Sequence, residues 1–497
     1  MQNINVWGFS AGGHDAAVSV VKNGKIQWAS HSERYSKIKN DDTINRQMLI
    51  DALSIRSAGY PNVIVWHEKP FLKRTRELWA GQWRDVFEPN PKKLLNNIGF
   101  INVPVHTVSH HHSHAAGGYY TSGFDSAAIL VIDAIGEWDT TTAWKGQGNS
   151  LKKIASARYP NSLGLFYTAM TQRCGFKPNE EEYIMMGLSA CGYSWKYKHL
   201  ILDELIEVLP TWPFYRCRVN MHRGIINWHP EITDVENLAA AAQEVFTDIM
   251  LELSKWLKAT AKSSNLVLSG GCALNCVTNT AIAQQGIWDK IWIMPNPGDA
   301  GNSLGAALAY LKTPVKWEGP YLGHNIKGLY PVGAVIHQLH QTGIVGVANG
   351  RAEFGPRALG NRSLLADPRI VDIQDRLNVV KKRESFRPFA PVILEEYVDQ
   401  YFETNGQDLS YMQYTLKCKY PERFPGIVHV DGTSRVQTVN VKQHVGLYQL
   451  LRRWYSETGC PMLVNTSLNI KGQPIVNDEA DAAAFEKEYG IKVFTNA

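Results

Sequence analysis

The chain holds only seven cysteines in 497 residues, an odd and scattered set. Cys272 and Cys276 are its one close pair, and no second pair completes a zinc site. That excludes a disulfide framework and makes reduced thiols the expectation. No apolar run is long enough to span a bilayer, and the start, MQNINVWGFSAGGHDAA, has no basic segment leading into an apolar one. A soluble cytoplasmic protein without membrane contact is expected. Charge of one sign is also scarce. A formal net charge of +5 permits contact with a polyanion but does not demand it. The Walker phosphate loop and the three-glycine dinucleotide fingerprint are both absent, which argues against P-loop ATPases and Rossmann dehydrogenases. Nothing is low in complexity or periodic in the manner of a solenoid.

What is present reads as an α/β protein of more than one core, since 497 residues exceed what one core organises. INVWGFS is an apolar strand, SAGGHD a glycine turn, and AAVSVVKNGKIQWAS a hairpin with Asn23-Gly24 at its tip. The event recurs in AAILVIDAIGEWDTTTAW. NLVLSGGCALN and IWIMPNPGDAGNSLGAALAYL add two more strands, each running into a small-residue turn and a helix. Such turns let backbone N–H groups approach a phosphate and hold a carboxylate at a strand end. The recurrence predicts a duplicated α/β unit around a nucleotide cleft. VENLAAAAQEVFTDIMLELSKWLKATAKS has the spacing of a helix. The Pro- and Gly-rich stretch KTPVKWEGPYLGHNIKGLYPVG marks a boundary. The expected domains are 1–325 and 326–497.

Three constellations carry chemistry. In HHHSH, His110 and His114 stand four apart and share one face of a helix, where they can hold a metal. Taken alone, an HxxxH pair is more often a surface or capping cluster. Here Asp133 and Asp299 sit in acidic turns elsewhere, and two imidazoles with carboxylates suit a divalent ion such as Fe²⁺, Mn²⁺ or Zn²⁺. The second constellation is the set of glycine turns SAGGHDAA, SGGCALNC and NPGDAGNSLGAA, weak singly but together favouring a nucleotide. The third is GRAEFGPRALGNRSLLADPR with LNVVKKRESFRPFAPV, which gathers Arg351, Arg357, Arg362, Arg369, Lys381, Lys382, Arg383 and Arg387 in turn-rich sequence. Such spacing predicts an anion cradle, with guanidinium forks on phosphates. The bland alternative is a basic surface patch.

These strings resemble the O-carbamoyltransferases of the nodulation-factor, cephalosporin and tobramycin type. GHDAA, ERYSKIKND, HHHSHAA, VIDAIGEWDTT, EEYIMMGLSACG, SGGCALNCVTNT, GDAGNSLGAAL, GPRALGNRS, RPFAP, HVDGTSRVQTV and LVNTSLNIKGQPIV occur in family order along nearly the whole chain. The resemblance implies an N-terminal duplicated actin/Hsp70-like domain. It also implies a C-terminal domain like the synthase of threonylcarbamoyl-adenylate. The C-terminal domain would form carbamoyl-adenylate from carbamoyl phosphate and ATP with Mg²⁺, and the N-terminal one would pass the carbamoyl group to a hydroxyl. It further implies His110, His114, Asp133 and Asp299 as ligands of Fe²⁺ or another divalent metal. Asp15, with His14 beside it, falls at the acceptor-side catalytic position, and Lys39 near the transfer site. Gly270, Gly271 and Asn275 match the nucleotide turn. Arg357, Arg362, Lys382 and Arg435, with Asn465 and Ser467, match the carbamoyl phosphate and ATP set. The chain departs from the family at Ile184, where a lysine is usual, at Ala134 for glycine, and at Asn40 for histidine.

Against the alternative of a small-molecule alcohol, the acceptor expected is 5-hydroxymethylcytosine in DNA. The latter would imply a virus-encoded enzyme of the host cytoplasm. KPFLKRTRELWAGQWRDVFEPNPKK interleaves basic and aromatic residues as a nucleic-acid surface would, although Glu77, Asp85 and Glu88 dilute its charge. The 15 tryptophans suit stacking on sugars and bases alike. Two rivals are a non-catalytic nucleotide-binding regulator and an enzyme transferring threonylcarbamoyl to tRNA.

Overall fold

The computed structural model describes residues 4–55, 57–82 and 90–497. Close contacts divide the chain into two compact units, one of Met1–Ser32 with Asn40–Trp317, the other of Glu33–Lys39 with Glu318–Ala497. The break by contacts thus falls at Trp317/Glu318, and a short early segment joins the later unit.

The first unit repeats one plan. β1 (Asn5–Ser10), β2 (Ala17–Lys22) and β3 (Lys25–His31) form an antiparallel meander. β4 (Val63–Trp66) joins parallel to β1, and β5 (Val105–Thr107) parallel to β4, giving the order β3-β2-β1-β4-β5. β6 (Ser126–Ile132), β7 (Asp139–Gln147) and β8 (Ser150–Arg158) form a second meander. A small hairpin of β9 (Ile206–Val208) and β10 (Tyr215–Cys217) follows. β11 (Asn265–Ser269) then adds parallel to β6, and β12 (Lys290–Ile293) parallel to β11. The order β12-β11-β6-β7-β8 is that of the first sheet. The duplicated unit read from the recurring strand and turn is therefore present. Asn23 and Gly24 take positive φ at the hairpin tip, as a two-residue turn requires.

Two helices, His110–Thr121 and Asn302–Leu311, are buried along almost their whole length. Small residues let them approach backbone to backbone. A Cβ on Gly305 would lie 2.0 Å from the Ser113 carbonyl oxygen, and one on Gly8 of β1 only 1.8 Å from that of Ser303. A Cβ on Gly118 would meet Val267 of β11 at 2.6 Å. The layers therefore run from the first sheet through the Asn302 helix and the His110 helix to the second sheet. This is why AAGG and GAALA show no amphipathic pattern: helices apolar on every side are interior ones. The predicted long helix runs Val235–Ala261. No helix among the described residues is long and apolar enough to cross a membrane.

The second unit is built on a six-stranded mixed sheet. Its strands, in the order β20-β17-β21-β16-β14-β22, are β14 (Ile344–Ala348), β16 (Arg362–Ala366), β17 (Ala390–Leu394), β20 (Gln437–Val439), β21 (Met462–Ser467) and β22 (Val493–Phe494). β13 (Tyr321–Ile326) pairs with β15 (Gly350–Glu353), and β18 (Thr415–Lys417) with β19 (Thr433–Arg435). One core cluster joins Leu364, Leu468, Val476, Phe485 and Val493.

Candidate functional site

Four segments of the first unit bring polar groups to one point. The start of the His110 helix contributes two imidazoles. The turn after β6 contributes Asp133, the turn before the Asn302 helix contributes Asp299, and the glycine turn after β1 contributes His14. His110 Nε2 lies 2.9 Å from Asp133 Oδ2, 3.2 Å from Asp299 Oδ1 and 3.1 Å from His114 Nε2. His114 Nε2 lies 3.3 Å and 3.2 Å from the same two carboxylate oxygens. All four side chains are deeply buried or nearly so, with one ligand atom of each within 4.8 Å of the others.

Burial opposes charge on His110, yet Asp299 and Asp133 outweigh it and hold the pKa well above the ordinary value. Burial likewise opposes charge on Asp299, but His110 and His14 drive its pKa far down. Two imidazole nitrogens face each other at the same oxygens, and hydrogen bonds cannot satisfy every pair at once. A divalent cation accepts all four donors, so the residues fit one, and imidazole with carboxylate suits Fe²⁺, Mn²⁺ or Zn²⁺.

The surroundings fix these ligands. Ser109, the residue before the helix, makes no side-chain cap. Glu137 supplies it from the next turn: its Oε1 accepts the N–H of His110 at 3.0 Å and that of Lys69 at 2.8 Å. Ser269 donates to the His114 carbonyl at 3.0 Å. The neighbouring histidines turn elsewhere. His111 bonds Thr142 Oγ1 at 2.9 Å, and His112 stacks on Trp144.

His14 and Asp15 stand at the rim. His14 Nδ1 lies 3.0 Å from Asp15 Oδ2, and its Nε2 lies 3.4 Å from Asp299 Oδ2. Loss of water works against charge on this imidazole, and the Asp299 and Asp15 carboxylates raise its pKa regardless. Asp15 sits at φ 56°, a conformation L-residues rarely take. Lys73, inside the helix Pro70–Trp79, turns inward, donates to the Gly12 carbonyl of this turn and pairs with Glu68 at 3.0 Å.

The glycine turn expected to hold the nucleotide follows β11. A Cβ on Gly270, at φ 89°, would meet the Ile132 carbonyl oxygen at 2.1 Å, so only glycine fits. A Cβ on Gly271 would stand 3.2 Å from Asp133 Oδ1. The side chain of Asn275 is engaged within the protein: Oδ1 caps the next helix at Thr278 N, and Nδ2 donates to Gln243 at 3.0 Å. Lys39 belongs to the segment that joins the second unit, where it pairs with Glu33 at 3.1 Å.

The cationic stretch of the second unit divides in two. Arg362 is fully buried and spends its donors on the carbonyls of Asn477, Asn349, Gly350, Asn361 and His324, so it works as an internal anchor, contrary to a phosphate-gripping reading. Arg351 bonds the Leu322 and Gly323 carbonyls, and Arg369 grips Asp367 at 2.9 and 2.8 Å. Lys382 is exposed at a left-handed helix end with its Nζ 5.7 Å from the Tyr489 ring. Its neighbour Lys381 turns inward: Nζ donates to Ser467 O at 2.6 Å, Ser467 Oγ at 3.1 Å and Asn469 Oδ1 at 2.8 Å. Burial, with Arg383 and Arg387 nearby, holds the Lys381 pKa well below the usual lysine value. Asn465 donates to Ala358 O and to Gln437, while its buried Oδ1 has no hydrogen-bond partner among the described residues. Arg357 and Arg435 are half-exposed.

The sequence reading did not single out Glu137, Lys73, Glu353 or the pair His67 and Glu68, which form with His110 a second close group of potential ligands. The string HEKP after the strand VIVW held the same signal as the turns that were read, a strand running into an acidic residue.

The first unit thus carries two like-wound α/β halves with histidines and aspartates gathered on their turns, and the second a mixed sheet. The chain belongs to the carbamoyltransferase family: residues 86–308 match the carbamoyltransferase N-terminus and residues 336–495 the carbamoyltransferase C-terminus. It is 34% identical to the uncharacterized protein sll1178 of Synechocystis over 96% of this chain and 93% of that one. It is 30% identical to the nodulation protein NolNO of Sinorhizobium fredii, covering 94% and 76%. It is 26% identical to the 3'-hydroxymethylcephem-O-carbamoyltransferase of Amycolatopsis lactamdurans, covering 96% of each.

Proposed function

We propose that this carbamoyltransferase works on an alcohol in two stages. The second unit makes carbamoyl-adenylate from carbamoyl phosphate and ATP, and the first unit transfers the carbamoyl group to the acceptor hydroxyl. The balance requires one water: carbamoyl phosphate, ATP and water give carbamoyl-adenylate, phosphate and pyrophosphate. In the second stage the acceptor oxygen bonds to the carbamoyl carbon, the bond from that carbon to the phosphate oxygen breaks, AMP leaves, and the hydroxyl proton is lost. The relative that acts on a hydroxymethylcephem supports a hydroxyl acceptor.

The observation that carries this reading is the convergence of His110, His114, Asp133 and Asp299 beside His14 and Asp15. Those four residues would hold a divalent cation, Fe²⁺ by our assignment, and it would supply Lewis-acid polarisation of a carbonyl and positive charge against phosphate. The protein's own groups do the rest. Gly270 and Gly271 allow a phosphate close to the backbone. Asp15, steadied by His14, is placed to take the acceptor proton. In the second unit Arg357, Arg435 and Ser467 would hold the anionic reactants for attack, and Lys381 fixes Ser467 from the interior.

The acceptor we favour is a small-molecule alcohol. Lys73 and Arg76, expected on a phosphate-gripping surface, are buried, while Phe71, Leu72, Leu78 and Trp79 are the exposed residues of that helix. Residues 83–89 of the same stretch, with Asp85 and Glu88, lie outside the described residues. The test is incubation of the Fe²⁺-loaded protein with ATP, labelled carbamoyl phosphate and a panel of acceptors. Sugar, aminoglycoside and cephem alcohols are set beside hydroxymethylcytosine DNA. Label on a small alcohol supports the reading, label on DNA alone replaces the acceptor, and absence of pyrophosphate release defeats the scheme.

A further inference from the structure

Residues 33–39 lie early in the chain yet belong to the second unit. Their ties there are specific. Arg34, 1% exposed, donates from Nη2 to the carbonyl of Gly355 at 3.2 Å and to that of Glu353 at 3.5 Å. Lys37 pairs with Asp481, and the same carboxylate oxygen accepts the N–H of Asn477 at 2.8 Å. The Asn477 carbonyl takes two bonds from Arg362, at 3.0 and 2.8 Å.

The segment therefore grips both ends of one loop. Glu353 and Gly355 begin the loop, Arg362 ends it, and Arg357 stands between. Inside the loop Glu353 Oε1 gathers the N–H groups of Leu359, Asn361 and Arg362 at 2.8, 2.9 and 3.3 Å. Keeping a guanidinium in this interior is expensive. Burial works against its charge, Glu33 and Glu353 offset part of that, and Nε and Nη1 have no hydrogen-bond partner among the described residues. An apolar side chain of similar volume is usually the more stabilising choice at such a place. It could not bind two carbonyls.

We propose that Arg34 is a positioning residue for carbamoyl-adenylate formation, holding the Glu353–Gly355 backbone so that Arg357 meets the anionic reactants. The activating unit is on this view assembled from two stretches of chain, 33–39 and 318–497, and the C-terminal stretch alone is incomplete. This rests on the activity proposed above. It is also readable without that activity, because a loop held by Arg34 keeps its amides protected whether or not the reaction runs.

The experiment uses the full chain as wild type, Arg34→Ala and Arg34→Lys. Two quantities are read: hydrogen exchange of the amides of residues 355–362, and carbamoyl phosphate-dependent release of pyrophosphate from ATP. Arg34→Ala is expected to expose the Leu359 and Asn361 amides and to raise the KM for carbamoyl phosphate about tenfold or more, since small misplacements cost that much. Iron uptake by the first unit stays unchanged. Added guanidinium ion restores part of the rate, which it would not do for a protein that had simply unfolded. Arg34→Lys keeps the fold but cannot bridge two carbonyls, and it stays impaired. Wild-type protection in both variants, or full pyrophosphate release by Arg34→Lys, overturns the proposal. If the wild type releases no pyrophosphate, the assigned activity falls, and the exchange data still decide the place of Arg34.

Discussion

His110 Nε2 stands 2.9 Å from Asp133 Oδ2, where a buried helix of the first unit meets the acidic turn that follows β6. With His114 and Asp299 at 3.1 and 3.2 Å from the same nitrogen, four potential ligand side chains from three segments share one point. Replacing His114 by Ala or Asp299 by Asn is therefore expected to abolish stoichiometric iron binding in equilibrium dialysis. Carbamoyl transfer should go with it. Pyrophosphate release, carried by the other unit, should persist. Iron retained at wild-type affinity by both variants would show that the ligands lie elsewhere.

Glu137 acts on the same point at one remove. It caps the His110 helix across 27 residues and ties Lys69 to it. Glu137→Ala leaves the buried N–H of His110 and the part-buried N–H of Lys69 without that acceptor, and a lost cap costs about 1 kcal/mol. Because the helix start carries the ligands, iron affinity should fall about 10- to 100-fold, as for other outer-shell groups. Glu137→Gln, which keeps an acceptor oxygen, should recover most of both. A calorimetric titration with Fe²⁺ under nitrogen reads the affinity, and equal values for Ala and wild type would remove Glu137 from the site.

The sequence showed the first unit more fully than the second, for a physical reason. Strand-and-turn events have a two-residue period and glycine punctuation, so the first meander with its Asn23-Gly24 hairpin and the β6–β7 pair of the second were legible. HxxxH needs only helical spacing to place His110 beside His114. The direction in which a long cation points is not local. Arg362 and Lys382 looked alike as charges in turn-rich text. One is buried against five carbonyl groups and the other lies on the surface. Lys381 and Lys382 differ only in which side of a helix end they leave. The membership of residues 33–39 in the second unit is a purely tertiary fact, as is Glu137 capping a helix that precedes it.

The helix Pro70–Trp79 gives a test of the acceptor. Lys73 and Arg76 face inward, and the outer side carries Phe71, Leu72, Leu78 and Trp79, with Trp79 meeting Trp138 and Tyr159 at 6.0 and 5.5 Å. Trp138 directly follows Glu137, so this aromatic face adjoins the turn that carries Asp133. Trp79→Ala should raise the KM for a ring-bearing acceptor about 10-fold, the scale of one lost stacking contact. The KM for ATP should not move. Binding through this face should also depend little on salt, whereas a phosphate-gripping surface loses affinity steeply as salt rises. Steep salt dependence of acceptor KM would return the case to DNA.

His444 supplies a pH test in the second unit. It precedes the helix Val445–Thr458 and caps it, its Nδ1 accepting the N–H of Leu447 at 3.0 Å. Its Nε2 must then carry the proton, which it gives to Asn361 Oδ1 at 2.7 Å. Tyr321 and Tyr330 set their edges against the ring, at the wall of a cavity of about 290 Å³. Burial pushes the pKa down to about 4 from 6.5. The unfolded chain takes up a proton as pH falls through about 6.5, and the folded protein resists until about 4. The stabilising contribution is therefore complete above pH 6.5, falls by about 3 kcal/mol between 6.5 and 4, and is gone below. His444→Asn keeps a capping oxygen and removes the titration. Urea unfolding at pH 7, 5.5 and 4.5 should show the wild type losing stability faster than the variant across that window. Parallel slopes would mean that His444 takes its proton in the folded protein as readily as in the unfolded chain.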